Sequence, residues 1–192
     1  MRAFTGSSSL LFMRHGVTAL NAAGLRCGGD VDPPLADLGQ RQSLQAAQHL
    51  AALHPRVGVI VVSALQRTRQ TADIVGRALR GVPIVVEAAF NERRLGEWNR
   101  RPIAETQAEL AAGITPPGGE SNAEFTRRIT HGVASTLLPL IGERVLLVAS
   151  KGVARVLGEL AGQSASAALD NAGIAVFDLS AFAQRSRVAC AA

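Results

Sequence analysis

Leu10-Leu11-Phe12-Met13-Arg14-His15-Gly16 is a run of four apolar residues that gives way at once to a guanidinium, an imidazole and a glycine. An unbroken apolar run of this length reads as a strand buried on both faces, as in a parallel sheet. Polar chemistry at its carboxyl end is where such sheets place a ligand. The pattern returns twice. Val57–Val62 is a β-branched run that ends at Ser63, with Arg67 in the first turn of the helix expected next, and Val145–Ala149 runs straight into Ser150-Lys151-Gly152.

Between these runs the spacing turns helical. Helices are expected over Leu38–Leu53, Leu65–Leu79, a short piece near Ile103–Ala112, Glu120–Leu140, and from Ser150 to about Ala161; Val82–Val86 and Gly173–Leu179 complete the strand candidates. Strands alternating with helices predict an α/β domain with a mostly parallel sheet covered on both faces. The 192 residues suit one such domain, 1–192, with an irregular cap or insertion at about 88–120 that carries Pro102, Pro116, Pro117 and Gly118-Gly119.

Composition narrows the function. Apolar residues make up 47% and charged residues 18%, enough for a core, so a disordered chain is excluded. The net charge of +5 favours an anionic partner, a phosphorylated metabolite or a nucleic acid. The arginines come in short pairs (Arg93-Arg94, Arg100-Arg101, Arg127-Arg128) with no long basic run and no aromatic-rich pattern, which speaks against nucleic acid. Cys27 and Cys190 are too few and too far apart for a disulfide framework or a metal knuckle, so a reducing compartment is the simpler reading. Residues 1–9 read as a leader without the h-region of a secretory signal, and no apolar run reaches the length of a membrane span. The expectation is a soluble, cytoplasmic protein without a membrane partner.

A histidine at a strand end can present a ring nitrogen as a nucleophile, and a neighbouring arginine offers fixed donors to phosphoryl oxygens. Gly16 lets backbone approach closely, and Thr18 and Asn21 can donate further bonds. Arg14-His15-Gly16-Val17-Thr18-Ala19-Leu20-Asn21 resembles the histidine-phosphatase superfamily (phosphoglycerate-mutase-like) signature Arg-His-Gly-x-Thr-x-x-Asn at every specified position. The likeness continues in order through Gly29-Asp30-Val31-Asp32-Pro33-Pro34-Leu35, Ser63–Ala72, Asn91–Trp98 and Gly118-Gly119-Glu120-Ser121, over about residues 10–178.

The resemblance implies a three-layer α/β/α sandwich and a phosphomonoester hydrolase, in the small-phosphatase branch rather than the glycolytic mutase. By position His15 would become phosphohistidine, Arg14 and Arg67 would clamp the transferring phosphoryl, and Glu92 would act as general acid and then base. Thr18, Asn21, Gly28, Gly29, Arg69 and Gly152 would line the substrate. No cofactor or metal is expected, because arginines supply the positive charge. The partner would be a phosphorylated small molecule, with a homodimer common among the family's members.

One position departs from the family. Its second catalytic histidine, in a Ser-His-Gly turn, is replaced by Lys151 within Ser150-Lys151-Gly152, and His131 falls inside a predicted helix and does not align there. An ammonium on a flexible stem is not a planar imidazole. Three outcomes stay open: Lys151 as an alternative clamp, as a brake on turnover, or as a side chain turned away. The rival to a phosphatase of reduced activity is therefore a phosphate-ligand-binding or regulatory pseudoenzyme of the same fold.

Overall fold

A computed structural model describes residues 9–53, 56–140, 142–163, 169–180 and 183. Five strands form one sheet: β1 (Ser9–Arg14), β2 (Val59–Val62), β3 (Ile84–Val86), β4 (Val145–Ala149) and β5 (Ile174–Asp178), in the order β3-β2-β4-β1-β5. The β1–β4, β2–β4 and β2–β3 pairs are parallel, and β5 closes one edge antiparallel to β1. The helices are α1 (Ala19–Ala22), α2 (Asp37–Ala51), α3 (Gln66–Ala78), α4 (Ile103–Ala111), α5 (Asn122–Gly132) and α6 (Lys151–Ala161).

Strand alternation splits the core into two layers. Leu10 and Phe12, with Val145, Leu147 and Ala149, pack on one side against Phe125 and Ile129 of α5 and Val153 and Leu157 of α6. Leu11 and Met13, with Leu146 and Val148, pack on the other against Ala46 and Leu50 of α2 and Ala72 and Val75 of α3. The result is the expected α/β/α sandwich. Because β1 and β2 flank β4, the carboxyl ends of these three strands lie side by side, the switch-point arrangement in which open α/β sheets bind ligands.

The element boundaries depart from expectation where proline intervenes. β3 begins at Ile84 rather than Val82: Pro83 accepts the Ile60 N–H through its carbonyl but has no N–H to give. Glu120–Leu140 is not one helix. Ser121 caps α5 in a capping box with Glu124; α5 stops at Gly132, widens into a π turn over Val133–Leu137 and tightens to a 3₁₀ turn over Leu138–Leu140. Pro139 cannot donate to the carbonyl of Ser135, so the regular ladder cannot run through it. α6 ends as expected, on Gly162 in the left-handed region (φ 65°). The 88–120 segment carries two 3₁₀ turns, Ala88–Phe90 and Gly96–Trp98, then α4. No helix is long and apolar enough among the described residues to cross a membrane. The leader residues 1–8, His54 and Cys190 lie outside the described residues.

Phe12 is fully buried and meets Phe177 edge-on at 5.9 Å between ring centroids. Phe12→Ala is expected to destabilise the protein by about 3–5 kcal/mol, and Phe12→Leu by far less, in urea unfolding followed by circular dichroism.

Candidate active site

His15 is the first residue past β1. Its backbone is pinned on both sides: its N–H donates to the Ala149 carbonyl (3.0 Å), and its carbonyl accepts from Ala172 N–H and Asn171 Nδ2, each at 3.1 Å. The next residue must be glycine, because a Cβ at Gly16 would overlap the Gly39 carbonyl. The ring is buried, and Nδ1 lies 2.7 Å from the Gly16 carbonyl oxygen. A carbonyl only accepts, so Nδ1 carries the proton and Nε2 keeps its lone pair. Burial, then Arg67, push the imidazole down to about 3; the bond to Gly16 opposes them in part, and Arg14 adds to the lowering. The ring is thus neutral at ordinary pH, the state a nucleophile needs.

Arg67, in the first turn of α3, is wholly buried. Its Nη1 donates to the Val31 carbonyl (3.0 Å) and its Nη2 to that of Gly28 (3.1 Å), with Asp32 at 4.0 Å; Nε is buried without a partner. Arg14 ends β1, donates from Nη1 to the Leu169 carbonyl (2.9 Å) and likewise keeps a buried, unpartnered Nε. Burial depresses the Arg14 guanidinium against the attraction of Glu92 and Asp170. A buried and a half-buried guanidinium, held mainly by neutral carbonyls, carry positive charge that the protein only partly offsets, which favours an anion.

Glu92 closes the site from the other side. Its carboxylate accepts the Arg93 N–H (2.8 Å) on Oε1 and the Gly152 N–H (3.0 Å) on Oε2, at the start of α6 where a negative group is favoured by the helix dipole. A Cβ at Gly152 would overlap Oε1 of that carboxylate. Gly152 is therefore the seat of Glu92.

The remaining expected residues divide. Thr18 is buried and caps α1, and its hydroxyl and N–H both reach Asn21 Oδ1 (3.0 and 3.2 Å). That commits the amide oxygen of Asn21 and leaves its Nδ2 free to donate. Gly28 and Gly29 have no donor to spare: the Gly28 N–H bonds Asn99 Oδ1 (2.7 Å) and the Gly29 N–H bonds the Arg93 carbonyl (2.9 Å). They tie the Arg67 loop to the Glu92 loop. Arg69 is not brought in. Two residues along a helix is about 200°, so with Arg67 inward Arg69 stands exposed on the far side of α3. Lys151 opens α6 exposed, and its ammonium makes no hydrogen bond or ion pair among the described residues. Beside it Ser150, the N-cap, is buried with an unpartnered Oγ. His131 is exposed on α5.

Sequence reading missed three supports. Asp30 accepts from Leu95 N–H (3.0 Å), Gly96 N–H (2.8 Å) and Asn99 Nδ2 (2.6 Å); burial works against its charge, but these bonds outweigh it and hold the carboxyl below the usual range. Arg26 bonds Thr106 Oγ1 (2.8 Å) and Gln107 Oε1 (3.0 Å), fastening α4 over the 25–28 loop. Glu120, of the Gly118-Gly119-Glu120-Ser121 element, is buried and pairs with Arg128. The one signal for that pair was an arginine between the apolar positions Phe125 and Ile129 of an amphipathic helix.

A strand-end histidine beside paired arginines suits an anionic, phosphoryl-like group, and comparison with known proteins gives the family. The profile of the histidine phosphatase superfamily (branch 1) matches residues 10–187, and the chain belongs to that family. It is 36% identical over 145 residues to a glucosyl-3-phosphoglycerate phosphatase of Mycolicibacterium vanbaalenii (71% of this chain, 59% of that protein). It is also 36% identical over 154 residues to a probable phosphoglycerate mutase of Cronobacter sakazakii (74% and 68%). The first curated relatives it matches are longer, and the chain spans 59% or 46% of their length. Among solved structures, a mycobacterial glucosyl-3-phosphoglycerate phosphatase in complex with VO3 superposes with a TM-score of 0.72 at 28% identity, over 88% of this chain and 90% of that one.

Two outcomes test this geometry. Gly152→Ala is expected to push Glu92 off α6 and cost about 1–3 kcal/mol in denaturant unfolding, as the Gly152 N–H loses its acceptor; in a Glu92→Ala background, where no carboxylate stands in the way, the same substitution costs little. The second concerns His15. The unfolded chain takes a proton there near pH 6.5, which the folded chain refuses until about 3. Stability is therefore intact above the upper value and drains as pH falls through this window, by up to about 1.4 kcal/mol per unit. Urea midpoints of wild type and His15→Asn across the window should show a shallower acid loss in the variant.

Proposed function

We propose that this chain is a phosphomonoester hydrolase that works through a phosphohistidine at His15. The observation that carries the reading is the state of that ring: neutral, with Nδ1–H fixed on the Gly16 carbonyl and Nε2 left as the nucleophile between Arg14 and Arg67. Nε2 attacks phosphorus as the ester P–O bond breaks, and the leaving oxygen takes a proton from the Glu92 carboxyl group. Glu92, now ionised, accepts a proton from water; the water oxygen attacks phosphorus, the P–N bond breaks, and inorganic phosphate leaves with His15 neutral again. Arg14 and Arg67 meet the charge that spreads over the equatorial oxygens, and Asn21 Nδ2 adds a donor.

Lys151 bears on the rate. Its ammonium, exposed and unpaired among the described residues, supports the reading that this position leaves the phosphoryl one donor short of the family pattern, giving slow turnover rather than none. The relatives named for glucosyl-3-phosphoglycerate and phosphoglycerate chemistry make phosphorylated hydroxy acids and their glycosides the first substrates to try.

Phosphate release from a panel of such esters should be measurable in wild type and fall to the blank in His15→Ala. Lys151→His should raise kcat by up to about 10²–10³-fold, the worth of one oxyanion donor. Equal, blank rates in wild type and His15→Ala, with phosphate esters still bound, would instead identify a binding protein.

A further inference from the structure

Resting on that reading, the next question is what keeps Glu92 in place, since the residue sits on an irregular stretch rather than on a helix or strand. Between the 3₁₀ turn Ala88–Phe90 and Gly96–Trp98 no regular ladder orders the backbone of 91–95. One side chain does so from outside. Arg128, on α5, donates through Nη1 to the carbonyls of Ala89 (2.8 Å) and Asn91 (3.0 Å), and through Nη2 to that of Glu92 itself (3.4 Å).

The guanidinium is itself fixed. Glu120 takes Nε on Oε1 (3.0 Å) and Nη2 on Oε2 (2.7 Å), a two-pronged pair, and the Phe125 ring lies 5.2 Å from Cζ. Glu120 is only 4% exposed, so the pair is partly withdrawn from water, where its geometry is most restrictive. Glu120 also grips the following residues: its Oε2 accepts the Arg94 N–H (3.3 Å) and its backbone carbonyl accepts Arg93 Nε (2.7 Å). Every residue from Asn91 to Arg94 thus has a backbone or side-chain bond to one of these two groups, and the pair itself bonds neither His15, Arg14 nor Arg67.

We infer that Arg128, held by Glu120, is the positioning residue for Glu92: it fixes the 89–92 backbone so that the carboxylate rests on the Gly152 amide. The guanidinium serves three carbonyls and two carboxylate oxygens at once, which a lysine ammonium with three donors cannot do. Loss of the strut therefore degrades proton delivery to the leaving group and leaves the nucleophile and phosphoryl clamp intact.

Leaving-group dependence separates this from a general loss of structure. kcat/KM reports the step in which the ester bond breaks. An alkyl phosphate needs its leaving oxygen protonated, whereas 4-nitrophenyl phosphate, with a stable phenolate, needs little help. Arg128→Lys and Arg128→Ala are expected to lower kcat/KM for an alkyl phosphate by about 10²-fold and for 4-nitrophenyl phosphate by less than about 10-fold. The exposed neighbour substitution Arg127→Ala should change neither. In a Glu92→Gln background, adding Arg128→Lys should cost nothing further, because the two act through one group. Equal losses on both esters, or a full additional loss in the Glu92→Gln background, would overturn the inference while leaving the phosphatase standing. A wild type inert on both esters would overturn the phosphatase reading and the inference with it.

Discussion

The hydrogen bond from the His15 N–H to the Ala149 carbonyl is where the sheet ends and the site begins. It extends by one step the parallel register that pairs Arg14 with Ala149, and so sets His15 beside Ser150. Strand alternation then turns both toward the α2/α3 layer, where Arg67 descends from the first turn of α3. A slip of one residue between β1 and β4 would turn the histidine to the opposite layer. The buried apolar faces of both strands, from Leu11 and Met13 to Leu146 and Val148, forbid that slip, so hydrophobic packing sets the position of His15.

Much of this was visible in the sequence, for a physical reason. Strands buried on both faces must be continuously apolar, and β1, β2 and β4 announce themselves by runs that break into polar residues where the chain leaves the core. The start of α5 falls within two residues of the expected Glu120, where Ser121 and Glu124 close a capping box. What the sequence could not separate is direction. Arg67 and Arg69 share a type, a helix and a motif, yet one is wholly buried and the other exposed, because their azimuths differ by more than half a turn. Gly28 and Gly29 were expected to line the substrate, but their N–H groups bond Asn99 and the Arg93 carbonyl, contacts 71 and 64 residues away in the chain for which no local pattern exists.

The electrostatics follow from unequal burial of like charges. Arg14 and Arg67 lie close enough that each acts on His15, and Arg67 acts on Arg14. Like charges gathered in one place oppose folding unless carbonyls or an anion answer them. The protein answers with the carbonyls of Val31, Gly28 and Leu169 and with Glu92 and Asp170 nearby. The answer is incomplete, since both Nε atoms lack partners. Keeping His15 neutral is part of the same balance, because a third cation there would raise the cost.

The start of α6 shows how one substitution can matter without touching the pocket wall. A helix N-terminus is a ready anion site, and here the Gly152 N–H is taken by Glu92 and those of Val153 and Ala154 by the Ser150 carbonyl. In the proposed reaction the side chain at the first helical position is a natural further donor to the phosphoryl group. A short, planar imidazole there has little choice but to lie near the strand ends, whereas the four-carbon stem of Lys151 lets its ammonium reach water, which solvates it better than a crevice already holding two arginines. Lys151 is exposed and has no partner among the described residues. The backbone forms the expected turn, with Ser150 buried before Lys151 and Gly152 seating Glu92 after it, so the frame of the turn stands whatever side chain occupies its centre.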